Sequence, residues 1–307
     1  MCVCGAHRGP SVLKTTDSSF CSETRGSDAS RAAVAKSLGL RRLAPSGSTQ
    51  KMTEKYLFID GAFLQGYIRE MKSLIEPEFG EININISNLG IGYSRIFYYD
   101  AYPEWDATTD PDKTIFNREM EEAEQRFSEI SMMRNFHVRP ALTRRGKKRE
   151  QKGVDVLLAI ECLMHSMRGN IDEAVIMTSD LDFFPLFEAL LQTKTKSWLL
   201  FDRHRTAQDL LSAADTAVPL NVDDFLSWVV DAPHLKKVYP YSNDVLENFK
   251  TVKVGRFGDQ EVELKQSPHQ DFYVCVQSGK GVGQGRALQC IAELQFEEVR
   301  GGRISFE

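Results

Sequence analysis

The stretch Ala174-Val-Ile-Met-Thr-Ser-Asp-Leu-Asp-Phe183 joins a short apolar run to two acids that are separated by one residue. An apolar run without polar alternation is typical of a parallel strand that is buried on both faces. From residue 56 to about residue 230, similar short runs alternate with amphipathic stretches, which is the pattern of repeated βα units. The sequence therefore predicts an α/β domain with a Rossmann-like, mainly parallel sheet that is flanked by helices.

The same pattern predicts the individual elements. Strands are predicted at residues 56–60, 95–101, 137–142, 174–179 and 197–201, with a short one at 217–220. Helices are predicted at residues 112–134, 154–167, 183–192, 207–213 and 222–230. A sheet of this kind binds its ligand outside the carboxyl ends of the strands. Acids at strand ends are therefore the first candidates for chemistry.

Beyond Pro233 the hydrophobic period changes to two, with turns of Gly, Pro and Asp between the runs. This pattern predicts a small, mostly antiparallel β module. The segment 288–296 fits both a strand and one face of a helix, and we predict a strand. The predicted parts are a disordered N-terminal extension at 1–51, the α/β domain at 52–231 and the β-rich module at 232–307.

Residues 1–51 lack the apolar surface that independent folding requires. They carry eight Lys/Arg and three acids, whereas the rest of the chain carries 30 Lys/Arg against 40 acids. No apolar run of signal-peptide length is present there, and Met52 directly precedes the first strand. We therefore expect translation to begin at Met52, with an organelle-targeting role for the extension as the alternative. Any nucleic-acid binding by the acidic remainder requires a local basic patch.

Membrane insertion and disulfide formation are not expected. No stretch approaches the roughly 20 apolar residues of a membrane-spanning helix. Three of the six cysteines precede residue 52, and the other three, Cys162, Cys275 and Cys290, lie within apolar patterns. This usage is typical of reduced thiols, and we expect a cytoplasmic protein.

Acids from three distant segments are expected to meet at the carboxyl edge of the sheet. Asp60 ends the first strand, Asp155 lies in the first turn of a helix, and Asp180 and Asp182 follow the run quoted above. Neighbouring carboxylates repel one another and raise one another's pKa, and a divalent cation removes that cost. Ligation by oxygen alone favours Mg²⁺ or Mn²⁺ over zinc.

Three motifs carry a family resemblance. Ile59-Asp60-Gly61, Lys152-Gly153-Val154-Asp155 with Glu161, and Thr178-Ser179-Asp180-Leu181-Asp182-Phe183 resemble the motifs of NYN domains (LabA-like, PIN superfamily) in order and spacing. The resemblance covers roughly residues 55–230. It implies a PIN-like sheet and a metal-dependent nuclease that usually acts on RNA. Carried over by position, Asp60, Asp155, Asp180 and Asp182 would be both the catalytic residues and the metal ligands, and Ser179 would support the last pair beside the substrate.

Two positions depart from the family pattern. The family usually has Asn three residues after the first Asp, where this chain has Phe63. Glu161 stands where Asp is commoner, and its spacing from Asp155 does not place both on one helical face, so we do not count it as a ligand. Phe63 favours the alternative function, a non-catalytic RNA-binding or regulatory protein with the NYN fold. A haloacid-dehalogenase-like phosphatase ranks below both, because Phe58 occupies the position of its nucleophilic Asp.

A basic run lies between the third predicted strand and Asp155. Its members are Arg144, Arg145, Lys147, Lys148 and Arg149, followed by Lys152. Such runs are usually solvated loops, but the position beside the predicted acids also suits contacts to RNA phosphates. For the C-terminal module, RNA binding, pairing of subunits in a homo-oligomer and contact with a protein partner all remain open.

If the five basic residues at 144–149 contact phosphates, the affinity for single-stranded RNA should depend steeply on salt. Each contact contributes about −0.7 to the slope of log affinity against log salt, or roughly −3.5 for five contacts. Replacing all five by Ser should flatten the slope by that amount and weaken binding to unrelated sequences alike, because phosphate contacts do not read bases. Titrations at several salt concentrations measure both slopes, and equal slopes would remove this run from the site.

Overall fold

In the computed structural model the chain is described at residues 53–141, 153–269 and 271–301. The first of these ranges holds β1 (Lys55–Asp60), α1 (Gly61–Phe79), β2 (Asn83–Ile84), β3 (Arg95–Ala101), α2 (Thr114–Ser131) and β4 (Phe136–Ala141). The second continues with α3 (Val154–Met167), β5 (Glu173–Met177), α4 (Phe184–Leu190), β6 (Lys196–Phe201), α5 (Gln208–Ala213), β7 (Thr216–Pro219), α6 (Val222–Trp228) and β8 (Val229–Val230). Short 3₁₀ helices cover Ile86–Gly90 and Leu181–Phe183.

The central sheet has the strand order β4-β3-β1-β5-β6-β7, and all of its pairings are parallel. From β1 the chain moves outward through β3 and β4, and it then returns to the other side of β1 for β5, β6 and β7. The direction of winding therefore reverses between β1 and β5. A ligand crevice forms at such a reversal, outside the carboxyl ends of the strands. The predicted α/β fold with a parallel sheet is confirmed.

Helices cover both faces of this sheet, which explains the unbroken apolar character of its strands. In β1, Leu57 and Ile59 point into one core cluster, whereas Phe58 points into the other. On the side of Phe58, α3 buries Val154, Leu158 and Cys162. This packing fixes the start of α3 near the carboxyl edge of the sheet, and with it the position of Asp155.

The C-terminal module is a second, antiparallel sheet with one helix. Its elements are β9 (Val238–Tyr239), a 3₁₀ helix (Asn243–Asn248), β10 (Lys250–Phe257), β11 (Gln260–Gln266), β12 (Tyr273–Gln277), β13 (Lys280–Arg286) and α7 (Gln289–Arg300). The strand order is β10-β11-β12-β13-β9. The prediction of a small, mostly β module is thereby confirmed.

The prediction of a strand at 288–296 is wrong, because the helix α7 begins at Gln289, directly after its N-cap Leu288. This helix lies between two cores. Ile291 joins the core of the α/β domain, whereas Ala292 and Phe296 pack against β11 and β12. A helix that is apolar on two faces places apolar residues at alternating positions, and that alternation resembles the period of a strand.

Polar contacts also attach the module to the α/β domain. Both carboxylate oxygens of Glu78, at the end of α1, accept backbone N–H groups from the first two residues of α7. At the other end of α7, Arg203 Nη1 donates to the carbonyl oxygen of Glu298 at 2.7 Å. Arg286 and Asp223 form an ion pair at 2.5 Å, in which the arginine is buried. The division at residue 231 stays a prediction.

Candidate active site

Asp60 is a buried carboxylate held in place by two hydrogen bonds. It ends β1, caps the start of α1 and is only 7% exposed. Its Oδ1 accepts the backbone N–H of Phe63 at 3.2 Å, and its Oδ2 accepts the hydroxyl of Thr178 at 2.9 Å. The side chain is therefore oriented by a backbone group in the first turn of α1 and by the hydroxyl of the residue that follows the neighbouring strand β5.

Thr178 connects the first and the third motif. Its fully buried hydroxyl donates to Asp60 and accepts the backbone N–H of Asp180 at 3.1 Å. Asp180 in turn caps the 3₁₀ helix, since its Oδ1 accepts the N–H of Asp182 at 2.9 Å. Asp180 and Asp182 are both exposed. The carboxyl ends of β1 and β5 are thus joined beside two acids that solvent can reach.

The predicted acids of the three motifs interact electrostatically. Burial raises the pKa of Asp60 to about 6, and the negative charges of Asp155 and Asp180 add to this effect. Burial likewise raises the pKa of Asp155, with further contributions from Asp180 and Asp182. The structure therefore brings acids from all three segments together. Within the parts of the chain that are described, however, no group of three His, Cys, Asp or Glu residues is arranged to hold a metal ion, and ligation stays a prediction.

In the metal-free protein, ionisation of Asp60 is expected to lower the free energy of unfolding, so this free energy should depend on pH. The folded pKa of about 6 lies above the ordinary value of 3.8, so the unfolded chain loses this proton first. The free energy of unfolding consequently falls as pH rises between these values, by at most about 3 kcal/mol. The Asp60→Asn variant has no carboxyl group to ionise at this position and does not lose this free energy. Its stability relative to wild type should therefore rise from about pH 4 to pH 7. Urea denaturation with a chelator measures the difference, and a constant difference across this range would contradict the assignment.

Ser179 ties the end of β5 to the loop that follows β6. Its Oγ accepts the backbone N–H of Asp202 at 3.0 Å and the hydroxyl of Thr206 at 2.6 Å. These bonds give Ser179 a supporting position next to Asp180. The predicted phosphate-binding residues, Lys152, Arg144, Arg145, Lys147, Lys148 and Arg149, lie outside the described residues.

Two further acids at the same edge were missed from the sequence. Asp100 is the penultimate residue of β3 and is 7% exposed, and Asp202 follows β6 and is 6% exposed. Asp100 accepts hydrogen bonds from Tyr98 and Arg126, and Asp202 lies 3.6 Å from Nε of Arg205. Their positions at strand ends were visible in the sequence, but their arginine partners were not. Because these acids have cationic neighbours, they need no metal ion to offset their charge.

The two departures from the family motifs also have structural explanations. The Glu161 carboxylate accepts hydrogen bonds from the hydroxyl of Tyr99 at 2.8 Å and from the Nε–H group of Arg139 at 3.1 Å. It is therefore bound to residues of β3 and β4. The Phe63 ring is stacked on Tyr67 with 6.3 Å between the centroids, and it packs against the core of the α/β domain. Its backbone N–H donates to Asp60. Phe63 therefore supplies no polar side chain to the acids.

The family model of the NYN domain matches residues 56–221, a range that contains all three motifs. The chain belongs to the NYN domain family. NYN domains have a PIN-like nuclease fold, and nucleases of this class generally use a divalent metal ion and act on RNA. The predicted family is therefore confirmed.

A search of solved structures finds a protein of unknown function from Vibrio parahaemolyticus. It is similar to this NYN protein at 16% sequence identity with a TM-score of 0.36, and the match covers 60% of this chain and 100% of the other. A search of curated proteins finds no match. In the part of the NYN protein that the structure describes, no helix is long and apolar enough to cross a membrane.

Proposed function

We propose that the NYN domain is a ribonuclease that hydrolyses RNA phosphodiester bonds with Mg²⁺ or Mn²⁺. The observation that carries this proposal is the convergence of Asp60, Asp155, Asp180 and Asp182 at the point where the sheet reverses its winding. Asp100 and Asp202, at the same edge, are paired with arginines. Among the described residues, no ion pair involves the four converging acids. Burial, and after it the charges of the neighbouring acids, raises the pKa of Asp60 and of Asp155. Such a cluster suits a divalent cation.

The four side chains have different roles in this proposal. Asp60 is the fixed ligand, because Thr178 and the N–H of Phe63 hold its two oxygens. Asp180 and Asp182 are exposed and can reach an ion that also contacts the RNA. Asp155 adds negative charge from the first turn of α3. When bound there, Mg²⁺ or Mn²⁺ would supply the positive charge that activates water and stabilises the phosphate in the transition state.

A second candidate function is non-catalytic RNA binding or regulation by the same fold. Two observations favour it. The apolar ring of Phe63 replaces the Asn of the family motif and packs against the core, and the acids of the described chain do not form a ready-made metal group. This candidate predicts RNA binding without metal-dependent cleavage. In both cases the cysteine pattern of the sequence favours a cytoplasmic location.

An RNA cleavage assay decides between the two functions. Labelled single-stranded RNA is incubated with the full chain and Mn²⁺, Mg²⁺ or a chelator, and the products are separated on a denaturing gel. The ribonuclease proposal expects products only with a divalent ion, and it expects them to disappear in Asp180→Asn. Binding of uncleaved RNA under all conditions would support the non-catalytic alternative.

A further inference from the structure

The C-terminal module has an open cleft that is separate from the acids of the NYN domain. Its volume is about 340 Å³, and its lining residues are Tyr239, Pro240, Tyr241, Asn243, Gly281 and Gln284. This volume lies near the lower end of the ~300–1,000 Å³ that sites for small ligands occupy. The lining consists of three rings, two carboxamides and a glycine, and it contains no charged side chain. Such a surface suits a flat ligand with hydrogen-bonding edges.

The fold holds the rings of the cleft in fixed positions. The Tyr239 ring is stacked on Phe272, with 5.0 Å between the centroids and 9° between the planes. The Tyr241 ring lies against Gly281, where a Cβ atom would come within 2.1 Å of it. A glycine at this position of β13 is therefore what allows the tyrosine to pack there. Aromatic rings that are already ordered lose little conformational entropy when a ligand binds.

Hydrogen-bonding groups lie next to these rings. Asn243 Oδ1 accepts the backbone N–H of Gly281 at 3.0 Å, a bond that orients the carboxamide and uses only its oxygen. Gln284, on the same strand as Gly281, is exposed. Carboxamides can donate to and accept from the edge of a nucleobase. The cleft thus combines stacking surfaces with groups that can recognise a base.

Two lysines flank the cleft in a chain that is otherwise acidic. Lys237 places Nζ 4.8 Å from the centroid of the Tyr239 ring, and the exposed Lys280 directly precedes Gly281. Grooves for single-stranded nucleic acid combine positive charge along the backbone with aromatic rings that stack on bases. Lys237 thus places a positive charge at the Tyr239 ring, and Lys280 adds a second one at the start of β13.

Two of the contacts between the module and the α/β domain lie at the edge of the sheet that carries the acids. Arg203 lies in the loop after β6 and contacts Glu298 of α7. Asp223 follows β7 and pairs with Arg286 of β13. Both contacts come from segments that follow the carboxyl ends of strands, the loop after β6 and the first turn of α6, and the candidate active site also lies at these ends. The end of α7 and the end of β13 therefore lie beside the edge that carries the candidate active site.

We propose that this cleft binds an unpaired nucleobase of single-stranded RNA, which stacks on the tyrosine rings after Lys237 moves off the face of Tyr239, with Asn243 and Gln284 at its edge. Lys237 and Lys280 contact the adjoining phosphates. The inference rests on the proposed function in that RNA is the substrate. It adds a second contact point for the RNA that the acids and the basic run at 144–149 do not provide.

The test measures RNA binding in the absence of a divalent ion, so that cleavage plays no part. Fluorescence anisotropy with a chelator gives the affinity of the full chain for a labelled single-stranded RNA of about ten nucleotides. Tyr239→Leu and Tyr241→Leu should each weaken binding on the order of 10-fold, because base stacking is lost. Tyr239→Phe and Tyr241→Phe keep a stacking ring and should bind nearly as wild type does. Phe257→Leu, which removes an exposed ring outside the cleft, is the matched control and should leave binding unchanged.

Photo-crosslinking of the wild-type protein to RNA that contains 4-thiouridine keeps the test decisive if a leucine variant does not fold. Cross-links to Tyr239 or Tyr241 support the proposal, whereas cross-links confined to other residues overturn it. The proposal is also overturned if the leucine variants, the phenylalanine variants and the control bind RNA with equal affinity. It is overturned as well if the protein binds a proline-rich peptide in place of RNA. Mn²⁺-dependent cleavage is measured in a separate assay. The two assays together distinguish a nuclease that does not use the cleft from a protein whose cleft binds RNA without cleaving it.

Discussion

Asp180→Asn is expected to lower the rate of Mn²⁺-dependent RNA cleavage by at least about 100-fold, while the metal-free protein stays at least as stable as wild type. Partners that only orient a metal ligand already contribute about 10–100-fold, and Asp180 is proposed to be a ligand itself. The fold should tolerate the change, because the Asn oxygen can still accept the N–H of Asp182 that Asp180 accepts now. Loss of one charge also relieves the repulsion felt by Asp60 and Asp155.

Single-turnover cleavage with Mn²⁺ and thermal unfolding with a chelator measure the two parts of this expectation. Asp182→Asn should behave in the same way. Glu188→Gln, which neutralises an exposed acid further along α4, is the control and should keep wild-type activity. If both Asn variants were fully active, these acids would not be the metal site, and the non-catalytic function would become the better explanation of the NYN fold.

The sequence predicted those parts of the fold in which local pattern and tertiary environment agree. The strand at 95–101 and the helix at 154–167 have the predicted bounds. In both cases the apolar residues follow the period of the element, and they face the core that this period implies. The four acids could be predicted to converge because the topology of a parallel sheet brings strand ends together without any knowledge of side-chain packing.

Other features depend on contacts between segments that are distant along the chain. The alternation at 288–296 gave no sign of the two cores that make α7 a helix. The burial of Asp100 against Arg126 also depends on how α2 packs beside β3, which residue types alone do not specify. The cleft in the C-terminal module is a similar case, because it needs Gly281 of β13 to lie against Tyr241, forty residues earlier.

Gly61→Ala is expected to destabilise the protein by about 3 kcal/mol, a large effect for the addition of one methyl group. A Cβ at this position would lie 2.6 Å from the carbonyl oxygen of Tyr99 and 2.7 Å from Cβ of Asp100. The first of these atoms is backbone of β3, which pairs with β1 directly beside Asp60. Relief of the clash therefore requires movement of a central strand or of the start of α1. Since Asp60 lies at that junction, cleavage activity should fall together with stability.

Gly66→Ala provides a matched control within the same helix. A Cβ there would meet only the tip of Arg205, at 3.8 Å, so the methyl group fits without strain. Alanine is favoured over glycine inside a helix by roughly 0.8–1 kcal/mol, and this variant should be slightly more stable than wild type. Urea denaturation with a chelator gives both free energies of unfolding. The two changes in the free energy of unfolding should have opposite signs. Both variants replace Gly by Ala in the same helix, and they differ only in the space around the new Cβ atom. Equal effects would mean that α1 does not lie against β3 at Gly61 as closely as the structure shows.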